Sequence, residues 1–441
     1  MLGGGATDGF RRGPLRHGGN KTMTETVQTG LRRRSALALM GAGAAALAAP
    51  GIVRAEDKVV RVGMPTILSG RVAQLGTSSR NAVLMEVERI NAAGGIAGRR
   101  IEMVIRDSKG QPQEAARVAR ELINSDGCDL LIDGEASSGG FAVHEVARDL
   151  GFFCIHTNSE TSSLTADPKL RIPNAFRVCR QGIHDSIAGG SYAAGIAKAK
   201  GLKRWATCSP DYAYGRDTTA EFVRYLKYFT PDVEIISESW PKLFQPDYTE
   251  NLTKLLQARP QALYSCLWAG DLTAFIDQAT IYALLSHMEF FAVNMADYTC
   301  LTAVKHLPAG IHSGNRYIKT FPNTPQNAAW ADAYRSKYKE YPTNWSWQNA
   351  AAVNFLAAAA NKANSTDGKK LAEVMHGLTI QSPFGVNGAI TMRAEDQTIV
   401  DYAIGWGTTI PTEPYVPDIQ PGDWKQIVAL ETEWKKSKGY T

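Results

Sequence analysis

The stretch Gly134-Glu135-Ala136-Ser137-Ser138-Gly139-Gly140 sits between an apolar run, CDLLID (128–133), and a helical segment. Two hydroxyls beside the backbone N–H groups of a helix start can hold a carboxylate. First-turn N–H groups have no partner inside the helix and carry the positive end of its dipole. The same serines could instead only cap the helix. Nucleophilic or metal chemistry finds no such support. The nearest approach to a nucleophile elbow, Gly189-Gly190-Ser191-Tyr192-Ala193, lacks its last glycine and falls in a helical segment. There is no HExxH, and the eight histidines are scattered. His156, at a strand end, either lines a cleft or is satisfied in the core. No CxxC or Cys/His spacing suggests a metal. Cys128, Cys154, Cys179, Cys208 and Cys266 lie within or beside apolar runs and read as reduced core thiols. Cys208 and Cys266 are the pair to consider for a bridge. No catalytic residue, metal or cofactor is expected.

What positions such a loop starts with where the chain is sent. Arg32, Arg33 and Arg34 precede an Ala/Leu/Gly/Met run to Ala49, then Pro50 and Val53-Arg54-Ala55. That is a basic, an apolar and a small-residue cleavage region. The apolar run is shorter than the roughly 20 residues a membrane span needs. It resembles a twin-arginine export signal, while Ala36 in place of the usual phenylalanine leaves general secretory export open. Residues 1–55 thus read as leader and export signal, with Met23 as the start and a periplasmic product from near Glu56. Without them 40 basic and 41 acidic residues remain. No basic cluster is left for nucleic acid or anionic lipid. About 385 residues exceed one core and predict two lobes.

The body alternates strand and helix. Strands are predicted at 59–64, 101–107, 128–133 and 152–156, with helices at 78–93, 113–124 and 140–150 between and after them. Gly94-Gly95 stops the first helix. A second series has helices at 185–198, 216–229, 251–258 and 272–285, and strands at 204–209, 233–237, 262–267 and 289–294. The stretch 311–318 is expected to return the chain to the first lobe, before helices at 327–340 and 345–363. The last hundred residues read as less regular. The fold class is α/β, two doubly wound Rossmann-like lobes with a hinged cleft.

Specific strings then carry a resemblance: VGMPTILSGRVAQLG (62–76), ERINAAGGIAGRRIEMVIRDSKGQPQEAARVARELI (88–123), SPDYAYGRD (209–217), WAGDLTAFIDQA (268–279) and SPFGVNGAITMRAEDQ (382–397). Their order resembles the type I periplasmic solute-binding proteins of ABC importers, in the branched-chain and hydrophobic amino-acid branch. The resemblance implies a clamp with lobe one at 57–180 plus 311–400 and lobe two at 181–310 plus 401–441. It implies a monomer that closes on a small solute and is read by a membrane permease, with no catalysis of its own.

The resemblance also implies the site. Ser137 or Ser138, with Ser159 and Thr161 of the next loop, would grip a carboxylate. Glu160 departs from the small residue usual there and would turn to solvent or accept an ammonium or amide N–H. Tyr214 and Trp268 would wall the pocket. Asn294 and Asp297 stand where amino-acid binders place an acid for the ammonium, Asp297 alternatively being a helix cap. In the first loop Ser69, Arg71 and Gln74 are the candidates for setting side-chain specificity, Arg71 alternatively being a solvated loop arginine. The expected ligand is a branched-chain or other hydrophobic amino acid, with an aromatic carboxylate or short amide as the alternative. A sensory ligand-binding protein and a secreted hydrolase are more remote.

Overall fold

The computed structural model describes residues 59–441, so the leader, export signal and Met23 lie outside the described residues. Val60–Thr66 belongs to a parallel sheet with spatial order Ile101–Asp107, Val60–Thr66, Leu130–Asp133, Cys154–His156, Ala175–Arg177. Its last three strands are buried at every position, as strands covered by helices on both faces must be. A second sheet repeats the order with Glu234–Ser239, Arg204–Cys208, Ala262–Ser265, Glu289–Ala292 and His312–Tyr317. Gly405–Thr408 and Gln420–Pro421 add antiparallel strands beyond them. In each sheet the strand that comes first in the chain lies second in space. The connections after it and after the third strand therefore diverge to opposite faces and leave a crevice at their carboxyl ends.

Helix Ala73–Ala92 packs on Asn344–Ala363, Pro112–Asn124 on Ser137–Leu150, and Gly182–Lys200 on Ala213–Phe229. Gly95 ends the first of these at φ +79°, where an added Cβ would stand 2.0 Å from the Arg99 carbonyl oxygen. Five helices begin three or more residues earlier than their apolar periodicity predicts: at Ala73, Ser137, Gly182, Ala213 and Ala269 rather than 78, 140, 185, 216 and 272. Their first turns hold mostly small, polar or aromatic residues, with single aliphatics such as Leu75 and Ile183 and no apolar stripe. Contact with the strand ends sets them, not propensity. At Gly215 a Cβ would lie 1.8 Å from the Pro210 carbonyl oxygen, so the turn closes tightly on its own loop.

Two expectations are corrected. The 311–318 stretch does not lead straight back to the first lobe. His312–Tyr317 is buried throughout and lies between Glu289–Ala292 and Gly405–Thr408, its polar side chains bonded inside the fold, Ser313 to Ala296 N, Arg316 to Asp185 and Tyr317 to Asn327. The last hundred residues are more regular than expected, with helices Gly368–Met375 and Trp424–Lys438 and a small antiparallel sheet at 379–400. The six cysteines are buried with free thiols, Cys208 and Cys266 included. No described helix is long and apolar enough to cross a membrane.

The C-terminal helix is fastened by charge. Asp423 caps it, accepting from Lys425 N at 2.9 Å. Arg393 donates to Glu431 Oε2 at 2.6 Å and to Asp396 Oδ1 at 2.9 Å, and Lys435 donates to Asp396 at 2.7 Å. Glu431 is buried, and removing it would take one partner from each of Arg393, Lys435 and His184 in a poorly solvated place. Glu431→Ala should therefore cost about 3 kcal/mol of stability, read as a lowered denaturation midpoint; an unchanged midpoint would show the cluster to be unimportant.

Candidate ligand-binding site

Loops at the carboxyl ends of both sheets enclose a pocket with about 450 Å³ of unfilled space, counted out to its mouth. The first sheet contributes Ala136, Ser137, Asn158 and Glu160; the second contributes Tyr212, Tyr214, Trp268, Asn294, Asp297 and Arg316. Asn344 and Trp345, from the first turn of the 344–363 helix, close the remaining side. Six expected residues are thus brought together: Ser137, Glu160, Tyr214, Trp268, Asn294 and Asp297.

Four expected residues do not border the pocket. Ser138 is half-buried one step round the helix, so its neighbour Ser137 is the serine presented. Ser159 lies beneath that helix, its Oγ only 2.5 Å from where a Gly140 Cβ would stand. Thr161 acts through its backbone, donating to Ser137 Oγ at 3.3 Å. Arg71 sits at the cleft mouth, where its Nη2 donates to the Gly270 carbonyl at 3.2 Å and its Nε lies 3.8 Å from Asp271 Oδ1. It joins loops of the two sheets across the opening and does not shape the pocket floor.

The floor is ionic. Arg316 donates to Glu160 Oε1 and, at 2.6 Å, to Asp185 Oδ2; Arg180 in turn donates to both oxygens of Asp185. Burial opposes the Arg316 charge, but Glu160 and Asp185 outweigh it and hold its pKa above the ordinary value. Asn344 Nδ2 donates to the same Glu160 oxygen at 2.8 Å. Glu160 Oε2 is buried and has no partner among the described residues. Asp297 does cap a helix: Oδ1 accepts from Thr299 N at 2.9 Å and Oδ2 from Asn344 N at 2.6 Å. Burial raises its pKa against those bonds. Asn294 is spent on the Cys266 and Leu267 carbonyls and on the Tyr214 hydroxyl.

At the opposite end lies the Ser137–Leu150 helix start. Its first intrahelical bond is Gly140 N to Ala136 O at 2.8 Å, so the N–H groups of residues 137–139 precede the ladder. Of these residues Ser137 borders the pocket, so the helix start with the Ser137 hydroxyl is its donor end. Tyr212 and Tyr214 are kept un-ionised by burial, and Trp268 Nε1 donates to Tyr212 Oη at 2.9 Å. Trp268 and Trp345 meet edge to face with ring centroids 5.8 Å apart.

Under the donor end runs a buried chain, Asp133 Oδ2 to His156 Nδ1 at 2.6 Å, His156 Nε2 to His144 Nδ1 at 3.0 Å, and His144 Nε2 to the Leu170 carbonyl at 2.8 Å. Burial lowers both histidines to about 3, so His156 is a neutral, satisfied core residue. Arg316, Asn344 and Trp345 were missed by the sequence reading. A lone arginine inside a buried strand was the available signal for the first, and Thr343-Asn344 before a helical run for the others.

The fold and pocket define a two-lobed capture protein with a cleft at paired switch points. Residues 59–404 match the family described as periplasmic binding protein, and the chain belongs to it. The chain is 24% identical over 329 residues to the leucine-, isoleucine-, valine-, threonine- and alanine-binding protein of Pseudomonas aeruginosa, covering 74% of this chain and 84% of that one. It resembles a solute-binding protein of an ABC transporter from Rhodopseudomonas palustris solved with 3,4-dihydroxybenzoic acid (TM-score 0.74, 23% identity, 82% and 95% of the chains). It likewise resembles a branched-chain amino-acid transporter substrate-binding protein from Streptococcus pneumoniae solved with isoleucine (TM-score 0.71, 20% identity, 82% and 99%). The family is one of binding proteins, so the protein is not an enzyme.

Glu135 gives the pocket loop a pH signature. Burial, then the nearby Asp133 charge, raises its carboxyl to about 8. The folded state then holds a proton that the unfolded chain releases near 4.5, so this group makes stability fall as pH rises from about 4.5 to 8. Glu135→Gln should flatten that fall, measured as denaturation midpoints at pH 5, 7 and 9; a slope equal to the parent's would contradict it.

Proposed function

We propose that this protein is the substrate-binding component of an ABC importer and captures a hydrophobic, branched-chain-type amino acid between closing lobes. The observation that carries this reading is the buried, unpartnered Glu160 Oε2, which borders the same pocket as the Ser137 donor end. A carboxylate takes the N–H groups and hydroxyl of the helix start, an ammonium takes Glu160 Oε2, and the aromatic walls cover an apolar side chain. The relatives named for branched-chain amino acids support it. The lobes hinge as units centred on the two parallel sheets, and a membrane permease reads the closed monomer. Residues 31–55 send the chain to the periplasm, by the twin-arginine route.

A second reading, an aromatic carboxylate, is favoured by Tyr212, Tyr214, Trp268 and Trp345 around one small pocket. It leaves the Glu160 oxygen to a ring hydroxyl. Neither reading gives the surface a nucleic-acid partner.

Calorimetric titration with L-leucine, L-isoleucine and L-valine tests the main reading. Ser137→Ala should weaken the best of them about tenfold and Glu160→Gln by more, since charged hydrogen bonds are worth about 1.5–3 kcal/mol. Parent-like affinity in both variants would remove this pocket as the site.

A further inference from the structure

A second hollow lies outside the cleft, where the Ala213–Phe229 and Trp424–Lys438 helices face each other, with about 500 Å³ of unfilled space counted to its mouth. Asp217 and Glu221, four residues apart on one helix face, line it from one side. Trp434 and Tyr440 line it from the other, their ring centroids 5.5 Å apart. Exposed Arg224 and Lys438 complete it.

Its polar groups are left over from the folding of the chain. Glu221 is only 6% exposed, and its carboxylate has a single 3.4 Å bond from Ser162 Oγ. Among the described residues no lysine or arginine forms an ion pair with Glu221 or Asp217; burial, and for Glu221 the neighbouring Asp217, raises their pKa values, and Lys438 opposes this through space. Trp434 is 2% exposed, and its indole N–H has no partner. Buried carboxylates are ordinarily paired, and buried indole N–H groups ordinarily donate. Here both shortages fall in one cavity.

We propose that this hollow is a second binding site, for a small zwitterion of the amino-acid type, with its ammonium at Asp217 and Glu221 and its carboxylate at the Trp434 indole N–H and Lys438. A plain amine would leave the indole N–H unused and meet the repulsion of Lys438. A plain anion would meet two carboxyls. A metal cation would meet the Arg224 and Lys438 charges and leave the indole N–H unused, and no cluster of three or more His, Cys, Asp or Glu able to hold one occurs among the described residues. A zwitterion supplies each group with its missing partner.

The test uses the full chain labelled with 5-fluorotryptophan, the Trp434 fluorine signal being assigned with Trp434→Phe. Glycine should move that signal saturably in the millimolar range. Ethylamine and acetate should each bind at least about tenfold more weakly. Glu221→Gln and, independently, the exposed Lys438→Ala should each weaken glycine about tenfold. No shift with glycine up to about 50 mM, or equal shifts in parent and both variants, would overturn the site. Equal binding of ethylamine would overturn its assignment to zwitterions.

Discussion

The buried chain Glu160–Arg316–Asp185–Arg180 is the constraint on which the ligand pocket rests. Arg316 comes from a central strand of the second sheet and Glu160 from a loop of the first, so one guanidinium joins the floor of the pocket to both halves. Two acids and two arginines balance, as buried charges must, and removing any one would leave an uncompensated ion. The third acid, Asp297, is bonded by Thr299 and Asn344 and pushed toward neutrality by burial. Glu160 Oε2 is the pocket's buried carboxylate oxygen left without a partner among the described residues. That arrangement suits a solute that carries a donor for it.

The sheets explain why these groups converge. Both have the same strand order, and both place their divergent loops on the pocket. Ser137 and Glu160 follow the third and fourth strands of one sheet; Trp268 and Asn294 follow the third and fourth strands of the other. Equivalent positions of two similar halves face each other, one half giving donors and an acceptor, the other mostly aromatic wall. Arg71, reaching Gly270 across the mouth, holds the halves together outside the pocket.

The alternation of strand and helix was legible because buried parallel strands are continuous apolar runs and the helices carry periodic stripes. The errors cluster where the site is. Ser137, Ala213 and Ala269 open helices whose first turns have no stripe, because those turns serve the cleft. Ser137 was legible in its loop, but which of two adjacent serines faces inward depends on helix phase. Arg316 was hidden because an arginine in a strand has meaning only once its partners, Glu160 and Asp185, far apart in sequence, are placed. Ser159 and Thr161 have the right residue types, yet packing beneath a helix and a backbone role keep them out. The Trp424–Lys438 helix was announced by Asp423, a signal overshadowed by the preceding proline-rich loop.

The central claim is that the pocket recognises an ammonium as well as a carboxylate. The direct measurement compares the affinity of L-leucine with that of 4-methylpentanoate, the same molecule without its amino group. Loss of the ammonium partner of Glu160 should weaken binding about thirtyfold or more. Equal or tighter binding of 4-methylpentanoate would contradict the account and leave the pocket a site for simple carboxylates.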